Sequence, residues 1–178
     1  MADRGIIFTA ENARAIWLRQ KTQTRRLAYT GGRLSPWAQA QPGDWLWVRE
    51  PWRPLVFGAA HTGRALYRAD RPDDRAPFRA GRHMPKSMSR MTLVVEEARI
   101  ERLQDISEAD ALAEGAYPPP AGTFRDGFRE LWDSIHGLGA WDANPEVMRI
   151  AFRMEPTNID AMGFLAAGRT ARASRWTS

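Results

Sequence analysis

The chain has 178 residues and a mass of 20.2 kDa, which is typical of one domain with a single core. Hydrophobic residues (43%) and charged residues (26%) occur in globular proportions, and no run of 18 apolar residues could span a bilayer. The absence of cysteine excludes a disulfide framework, a thiolate nucleophile and a cysteine-ligated zinc. With no apolar secretory signal around Asp3, the sequence predicts a soluble cytoplasmic protein.

The first elements along the chain are a strand, a helix and a second strand. Residues 5–9 form a short apolar stretch, after which Thr9 is placed to cap a helix that ends near Arg19. The turn signal at residues 42–44 leads into residues 45–48, which are apolar on both faces of a strand. Because a strand covered on both faces suits a closed sheet, this pattern favours a small β-barrel.

Residues 51–91 are interpreted as a long insertion rich in arginine and proline. Five prolines interrupt it, seven arginines follow Leu55, and residues 65–67 are typical of a short strand. Loops of this length are usually functional or disordered, and the composition leaves both alternatives open.

A strand begins again at Thr92, and a change of parity between its two halves predicts a β-bulge near residues 96–97. Ser107 and Gly115 are placed to begin and end a short helix that follows. Pro118, Pro119 and Pro120 then interrupt the chain.

The most strongly patterned element is a helix that Thr123 caps and Gly137 ends. Its apolar stripe indicates core packing, and its members are Phe124, Phe128, Leu131, Trp132 and Ile135. Residues 148–154 alternate as a final strand, and residues 156–178 are interpreted as a loosely ordered basic tail.

Charge is distributed unevenly along the chain. Residues 1–91 carry 17 basic and 7 acidic side chains, whereas residues 92–155 carry 6 and 13. A basic first half suggests a surface for phosphates, and hence a nucleotide or nucleic-acid partner. The alternative is a coding bias, since 24 of the 26 basic residues are arginine.

The segment from Lys21 to Arg26 (Lys-Thr-Gln-Thr-Arg-Arg) carries the chemistry that the sequence offers. A tight turn here would bring the Lys21 amine beside the Thr24 hydroxyl, because residues three apart meet in a turn and not in a strand. Neighbouring cations depress the pKa of a lysine, and a neutral amine can take a proton from a hydroxyl nucleophile. The alternative is a solvated basic exit from the first helix.

These residues resemble the ASCH domain, a small β-barrel relative of the PUA fold. The resemblance covers about residues 5–155 and rests on segments 21–26, 42–48 and 106–115. It looks closest to the phage- and prophage-encoded branch, which has similar versions of segments 47–52, 67–70, 83–85 with 89–90, 131–135 and 141–145. The resemblance implies an α+β fold, a mainly antiparallel PUA-like barrel with flanking helices, in one domain over residues 1–155.

One enzyme of this wider family is the N4-acetylcytidine amidohydrolase. Its catalytic residues match Lys21 and Thr24 in the same pattern, and Glu114 by its spacing from Ser107. The resemblance implies that Thr24 attacks the exocyclic amide, Lys21 activates it and Glu114 helps the amine depart, without a metal or an organic cofactor. This chain departs from that enzyme in its greater length, its insertion and Arg25.

Further residues are assigned to binding. Arg26, Arg49, Glu50 and Trp52 are expected to line the substrate cleft, and Arg25, Lys86 and Arg90 to contact nucleic acid. A surface ion pair between Arg49 and Glu50 and core packing of Trp52 are the alternatives. The sequence thus predicts an ASCH-type protein that hydrolyses an N4-acyl cytidine-like substrate; the alternatives are a non-catalytic RNA or single-stranded DNA binding module and a metal-independent ribonuclease.

Overall fold

The structure is a computed structural model that describes residues 3–58 and 60–163. Nine strands and three α-helices, joined by short 3-10 helices, are formed in this part of the chain. In chain order they are β1 Asp3–Ile7, α1 Ala10–Trp17, β2 Gln23–Leu27, β3 Tyr29–Thr30, β4 Arg33–Leu34, β5 Trp45–Arg49, β6 Trp52–Phe57, β7 Ala60–Tyr67, β8 Thr92–Arg102, α2 Glu108–Ala113, α3 Phe124–His136 and β9 Glu146–Glu155.

The fold is mixed α+β, with mostly antiparallel pairing. The largest sheet has the strand order β1-β5-β8-β9-β2, in which β1 pairs with β5 in parallel and β2 pairs with β9 antiparallel. The described strands therefore form an open order and not the predicted closed barrel. Strand β5 explains the difference: Leu46 and Val48 are buried, whereas Trp45 and Trp47 are only half-buried, so one face alone is fully covered.

The chain divides into two compact units. Of the described residues, 15–44 and 94–154 belong to the first unit, and 3–14, 45–58, 60–93 and 155–163 belong to the second. Each unit gathers segments that are far apart in sequence.

Helices α2 and α3 begin and end in the first unit as the sequence predicts. The hydroxyl of Ser107 accepts from the backbone of Asp110 at 3.1 Å, and Thr123 forms a capping box with Asp126. Phe128 and Trp132 of α3 lie in the core of the unit, where Phe128 also meets Trp141 edge to face. No helix in residues 3–58 and 60–163 combines the length and the apolar character needed to cross a membrane.

The predicted insertion contains a hairpin in the second unit. Strands β6 and β7 pair antiparallel, with a register shift between Pro54 and Val56. The strand expected at residues 65–67 is confirmed as the end of β7. The sequence underestimates this hairpin because Pro54 lies inside β6, where a proline usually argues against a strand.

The beginning of the predicted tail is packed. Ile159 and Met162 are buried, and the carbonyl of Thr157 accepts a hydrogen bond from the Thr92 hydroxyl at 2.9 Å. Loose order is therefore wrong for residues 156–163, since two apolar side chains spaced three apart are removed from water there. Residues 164–178 lie outside the described residues.

Candidate active site

The segment that carries Lys21 is held in place by backbone hydrogen bonds within the first unit. Helix α1 ends in a turn at Arg19, whose φ is +60°. Three residues later the Thr22 amide donates to the Ala113 carbonyl at the end of α2, and the Thr22 carbonyl accepts from Phe152 of β9, both at 2.8 Å. Lys21 is thus fixed between a helix end and a strand.

The Lys21 amine is buried against Glu114. Its Nζ lies 2.6 Å from Glu114 Oε2 and donates a second hydrogen bond of 2.7 Å to the Glu114 carbonyl, and both side chains are only 3% exposed. Gly115 allows this approach, because a Cβ there would lie 3.3 Å from the Lys21 Cβ. Lys21 and Glu114, which lie 93 positions apart in the sequence, are therefore in direct contact.

Arg25 binds the same carboxylate and two others. Its guanidinium lies 3.1 Å from Glu114, 2.6 Å from Glu101 and 3.2 Å from Asp110, and its side chain is completely buried. A guanidinium enclosed by three carboxylates is not presented to solvent, so Arg25 is not positioned to contact phosphate as the sequence suggested. Its position favours a role in orienting Glu114.

Asp110 extends this network on the outer side of α2. Gln23 donates to it at 2.8 Å and Arg149 at 3.2 Å, in addition to the contact from Arg25. Burial alone would raise the pKa of the Asp110 carboxyl, but the Gln23 hydrogen bond and the charges of Arg149 and Arg25 outweigh it and lower the pKa to about 2. Asp110 is therefore ionised throughout the neutral range.

The electrostatics at Lys21 favour loss of its proton. Burial lowers the pKa of the amine below its ordinary value of 10.5, and the charges of Arg26 and Arg25 lower it further. Glu114 opposes this shift through its charge and its hydrogen bond, but burial prevails. A lysine with a lowered pKa is a candidate for proton transfer.

Thr24 is placed differently from the turn that the sequence suggested. The helical turn ends at Arg19, and Thr24 lies in strand β2, opposite Ile150 of β9. The residue is buried at 4% exposure, and among the residues that the structure describes its hydroxyl makes no hydrogen bond. The structure thus brings Lys21 and Glu114 together and leaves the Thr24 hydroxyl uncommitted within the described chain.

A cavity of about 310 Å³ lies in the first unit beside this segment. Lys21 and Thr22 line it together with Ile16, Phe152 and Met154, which supply apolar atoms. Its charged lining also includes Arg19, Glu96 and Arg153. Of the three predicted catalytic residues, Lys21 is the one that lines this cavity.

Two of the predicted binding residues form an ion pair in the second unit. Glu50 is fully buried, and Arg90 binds its two carboxylate oxygens at 2.9 and 3.1 Å. Arg90 also pairs with Asp70 at 2.5 Å and lies 4.0 Å from the centre of the Tyr67 ring. The alternative of a surface pair between Arg49 and Glu50 is wrong, since Arg90 is the partner of Glu50.

The remaining predicted binding residues have partners of their own. Trp52 is 5% exposed, with the guanidinium of Arg79 lying 5.5 Å from its ring, so its ring faces are not open to a base. Lys86 forms ion pairs with Asp3 and, at 2.7 Å, with Asp160. Arg49 lies over Trp47 at 5.1 Å, and in the first unit Arg26 lies over Trp37 at 6.0 Å.

Sequence reasoning missed Gln23, Glu101 and Asp110 as members of the site. The charge imbalance along the chain is a signal that could have indicated Glu101 and Asp110, although it also fits a surface for phosphates; no sequence signal points to the neutral Gln23. Part of this complementary charge is paired inside the protein: Lys21 and Arg25 of the basic half form ion pairs with Glu101, Asp110 and Glu114 of the acidic half.

Comparison with known proteins identifies a neighbour in fold. No family model matches the chain, and no curated protein matches it. Among solved structures, the chain is similar to the crystal structure of protein EF3133 from Enterococcus faecalis V583, described with the family model DUF984. The TM-score is 0.50 at 11% identity, over 92% of this chain and 82% of the other, and this likeness concerns the fold alone.

Proposed function

We propose that this chain is an ASCH-type hydrolase that cleaves the exocyclic amide of an N4-acylated cytidine-type substrate. A relationship to the PUA-like barrels, and to the phage and prophage branch of the ASCH domain, is part of the proposal. The observation that carries it is the buried Lys21–Glu114 pair, 2.6 Å apart, with Lys21 on the wall of a cavity. Thr24, three residues further along, supplies the hydroxyl nucleophile.

The Lys21–Glu114 pair can supply and recover the protons that the reaction needs. The proposed reaction requires one proton to pass from the Lys21 ammonium to the Glu114 carboxylate, which leaves a neutral amine and a carboxylic acid; burial of Lys21 favours its neutral form. The amine can then accept a proton, and the acid can donate one. Arg25, 3.1 Å from the other carboxylate oxygen, holds Glu114 in position.

The reaction then proceeds in two steps. In the first step, Lys21 takes the hydroxyl proton of Thr24 as the Thr24 oxygen bonds to the acyl carbonyl carbon. The bond between the acyl carbon and N4 then breaks, and Glu114 gives its proton to the departing N4 amine. Water next cleaves the acyl ester on Thr24, releasing a carboxylic acid and restoring the hydroxyl. The first step requires the Thr24 hydroxyl to come within about 3.2 Å of the Lys21 amine.

The test is incubation of the purified chain with N4-acetylcytidine and measurement of cytidine release. Thr24→Val, which removes the hydroxyl at nearly constant shape, should abolish release, and Thr24→Ser should retain a measurable part of it. Thr22→Val is the matched control, because Thr22 lines the cavity and also carries a hydroxyl. No release from several N4-acyl cytidines would refute the proposal, and loss in Thr22→Val alone would move the nucleophile to Thr22.

A second candidate is a non-catalytic module that binds RNA or single-stranded DNA. It is favoured by the mutual neutralisation of Lys21 and Glu114 and by the lack of a hydrogen bond between Thr24 and either of them among the described residues. This candidate predicts oligonucleotide binding that weakens steeply with salt and is unchanged in Thr24→Val. Incubation of the same samples with short RNA, without added metal, separates binding from ribonuclease activity.

A further inference from the structure

The size of the cavity beside Lys21 limits what it can hold. Its volume of about 310 Å³ lies at the lower end of the range of about 300–1,000 Å³ that small-molecule sites occupy. A ligand of the size of one nucleoside or nucleotide fits this volume, whereas a folded nucleic acid does not. Ile16, Phe152 and Met154 provide the apolar surface against which a base can lie.

The charged lining of this cavity is mainly cationic. Lys21 is already bound to Glu114, which leaves Arg19, Arg153 and the single acidic residue Glu96. Arg153 and Glu96 lie 3.6 Å apart, and their side chains are 43% and 55% exposed. An exposed pair at this separation contributes little free energy, and Arg153 has a further interaction in the structure, so its guanidinium is held at the cavity wall by more than its contact with Glu96.

Arg19 is the least compensated cation of the cavity. Its Nη1 donates to the neutral carbonyl of Met154 at 3.3 Å, and in residues 3–58 and 60–163 it pairs with no carboxylate. Arg19 is an exposed residue, and its guanidinium retains donors for another acceptor.

The backbone at Arg19 closes helix α1 and sets where the Arg19 side chain begins. Its φ of +60° lies in the left-handed region that is common at helix ends, and the amides of Arg19 and Gln20 donate to the carbonyls of Ile16 and Ala15 at 2.9 and 2.8 Å. This helix end places Arg19 two residues before Lys21, where it lines the cavity.

We infer that Arg19 and Arg153 form a phosphate-binding subsite in this cavity, so that the ligand is a phosphorylated nucleoside rather than a free nucleoside. This inference rests on the proposed function for the identity of the base. Guanidinium groups bind phosphate oxygens through paired, charge-assisted hydrogen bonds. The phosphate lies at Arg19 and Arg153, and the base lies against the apolar wall towards Lys21.

Equilibrium binding by titration calorimetry tests the subsite without requiring turnover. The probes are cytidine, cytidine 5′-monophosphate and the dinucleotide CpC, which separate a terminal phosphate from an internal one. The wild-type chain should bind one of the two phosphorylated probes about tenfold or more tightly than cytidine, as expected for charge-assisted hydrogen bonds. Arg19→Gln and Arg153→Gln should each reduce this preference, and Arg19→Lys should restore part of it.

Arg33→Gln is the control, because Arg33 is exposed in β4 and does not line the cavity. Equal binding of all three probes by the wild-type chain, or a preference that persists in both Gln variants, would overturn the inference. The wild-type comparison needs no variant, so a misfolded variant does not remove the test.

The proposed reaction and the phosphate subsite can fail separately. If the chain hydrolyses N4-acetylcytidine but shows no preference for phosphorylated probes, the subsite alone is overturned. If it prefers phosphorylated probes but hydrolyses no N4-acyl cytidine, the subsite stands and the proposed reaction is refuted.

Discussion

Each of the two units buries a charged pair, and the two pairs differ in their surroundings. In the second unit, Arg90 occupies both oxygens of the fully buried Glu50. In the first unit, Lys21 and Glu114 belong to a larger network, and Lys21 also lines a cavity. Both pairs are buried and both have a further charged partner, Asp70 at Arg90 and Arg25 at Glu114, so these features do not distinguish them. The contact of Lys21 with a cavity is what makes it the candidate for a reactive group.

The pKa directions follow the same contrast. Burial raises the pKa of the Glu50 carboxyl, against the opposing hydrogen bond and charge of Arg90. Burial lowers the pKa of the Lys21 amine, against the opposing charge and hydrogen bond of Glu114. Both shifts favour the neutral form, but only the Lys21 amine has a neighbouring hydroxyl in its own sequence segment to act upon.

The largest expected effect on stability is at Glu50. Replacement Glu50→Ala leaves the buried part of Arg90 without its main partner and should lower the free energy of unfolding by about 3–5 kcal/mol, measured by urea denaturation. Glu97→Ala is the control, because Glu97 is 49% exposed and its pairs should contribute at most about 1 kcal/mol. Equal losses in the two variants would contradict a structural role for the Glu50–Arg90 pair.

Lys21→Met should separate stability from activity. The loss of stability should be smaller, about 1–3 kcal/mol, because Arg25 still binds Glu114 at 3.1 Å and the carboxylate keeps a charged partner. Hydrolysis of N4-acetylcytidine should nevertheless fall by about 10²–10⁴-fold, as expected on removal of a general base. A large loss of stability with unchanged turnover would place Lys21 with Glu50 as a structural group.

The Asp110 carboxylate should make the stability of the protein depend on pH in the acid range. Its pKa in the folded chain, about 2, lies below the ordinary value of 3.8, so folding favours the ionised carboxylate. The stabilisation is complete above about pH 4 and is lost as the pH falls towards 2. Thermal unfolding between these values should be less pH-dependent in Asp110→Asn than in the wild type, and parallel curves would show that Asp110 contributes no such dependence.

The smallest expected effect is at Gly115. Its φ is +76°, and a Cβ there would press on the Lys21 side chain, so Gly115→Ala should cost about 1–2 kcal/mol and also reduce hydrolysis. Gly139→Ala is matched to it, since Gly139 has a φ of +81° and open space around it. It should lose a similar amount of stability and keep its activity; equal activities in the two variants would refute the contact with Lys21.

The sequence predicted local elements better than the site. Helix α3 was predicted with both of its ends, because a capping threonine, a spaced apolar stripe and a terminal glycine are all local signals. The open sheet was not predicted, because the contacts that decide which strands remain as unpaired edges are made between distant segments of the chain. The packing of Ile159 and Met162 was missed for a related reason: the composition of residues 156–178 as a whole obscured two apolar residues near its start.

Within the site, the sequence indicated Lys21 and Glu114 only through a resemblance to a family. No local pattern could reveal that they meet, since 93 residues separate them. Two of the three carboxylates around Arg25, those of Glu101 and Asp110, were missed because each lies more than 70 positions away from it in the chain. Charge counts showed that the two halves are complementary, but they could not distinguish an internal ion network from a surface for phosphates.

The buried Lys21 amine should give up its proton more readily than an ordinary lysine, and the proposed reaction depends on this property. The chain has two lysines, Lys21 and Lys86, so NMR titration of lysine side chains labelled with ¹³C and ¹⁵N should yield two resolvable curves, which Lys86→Arg assigns. Lys21 should titrate below 10.5, because burial disfavours its charged form, and Lys86 above it, because Asp160 and Asp3 accept its hydrogen bonds. A Lys21 curve at or above 10.5 would contradict the account and leave the Lys21–Glu114 pair a structural ion pair.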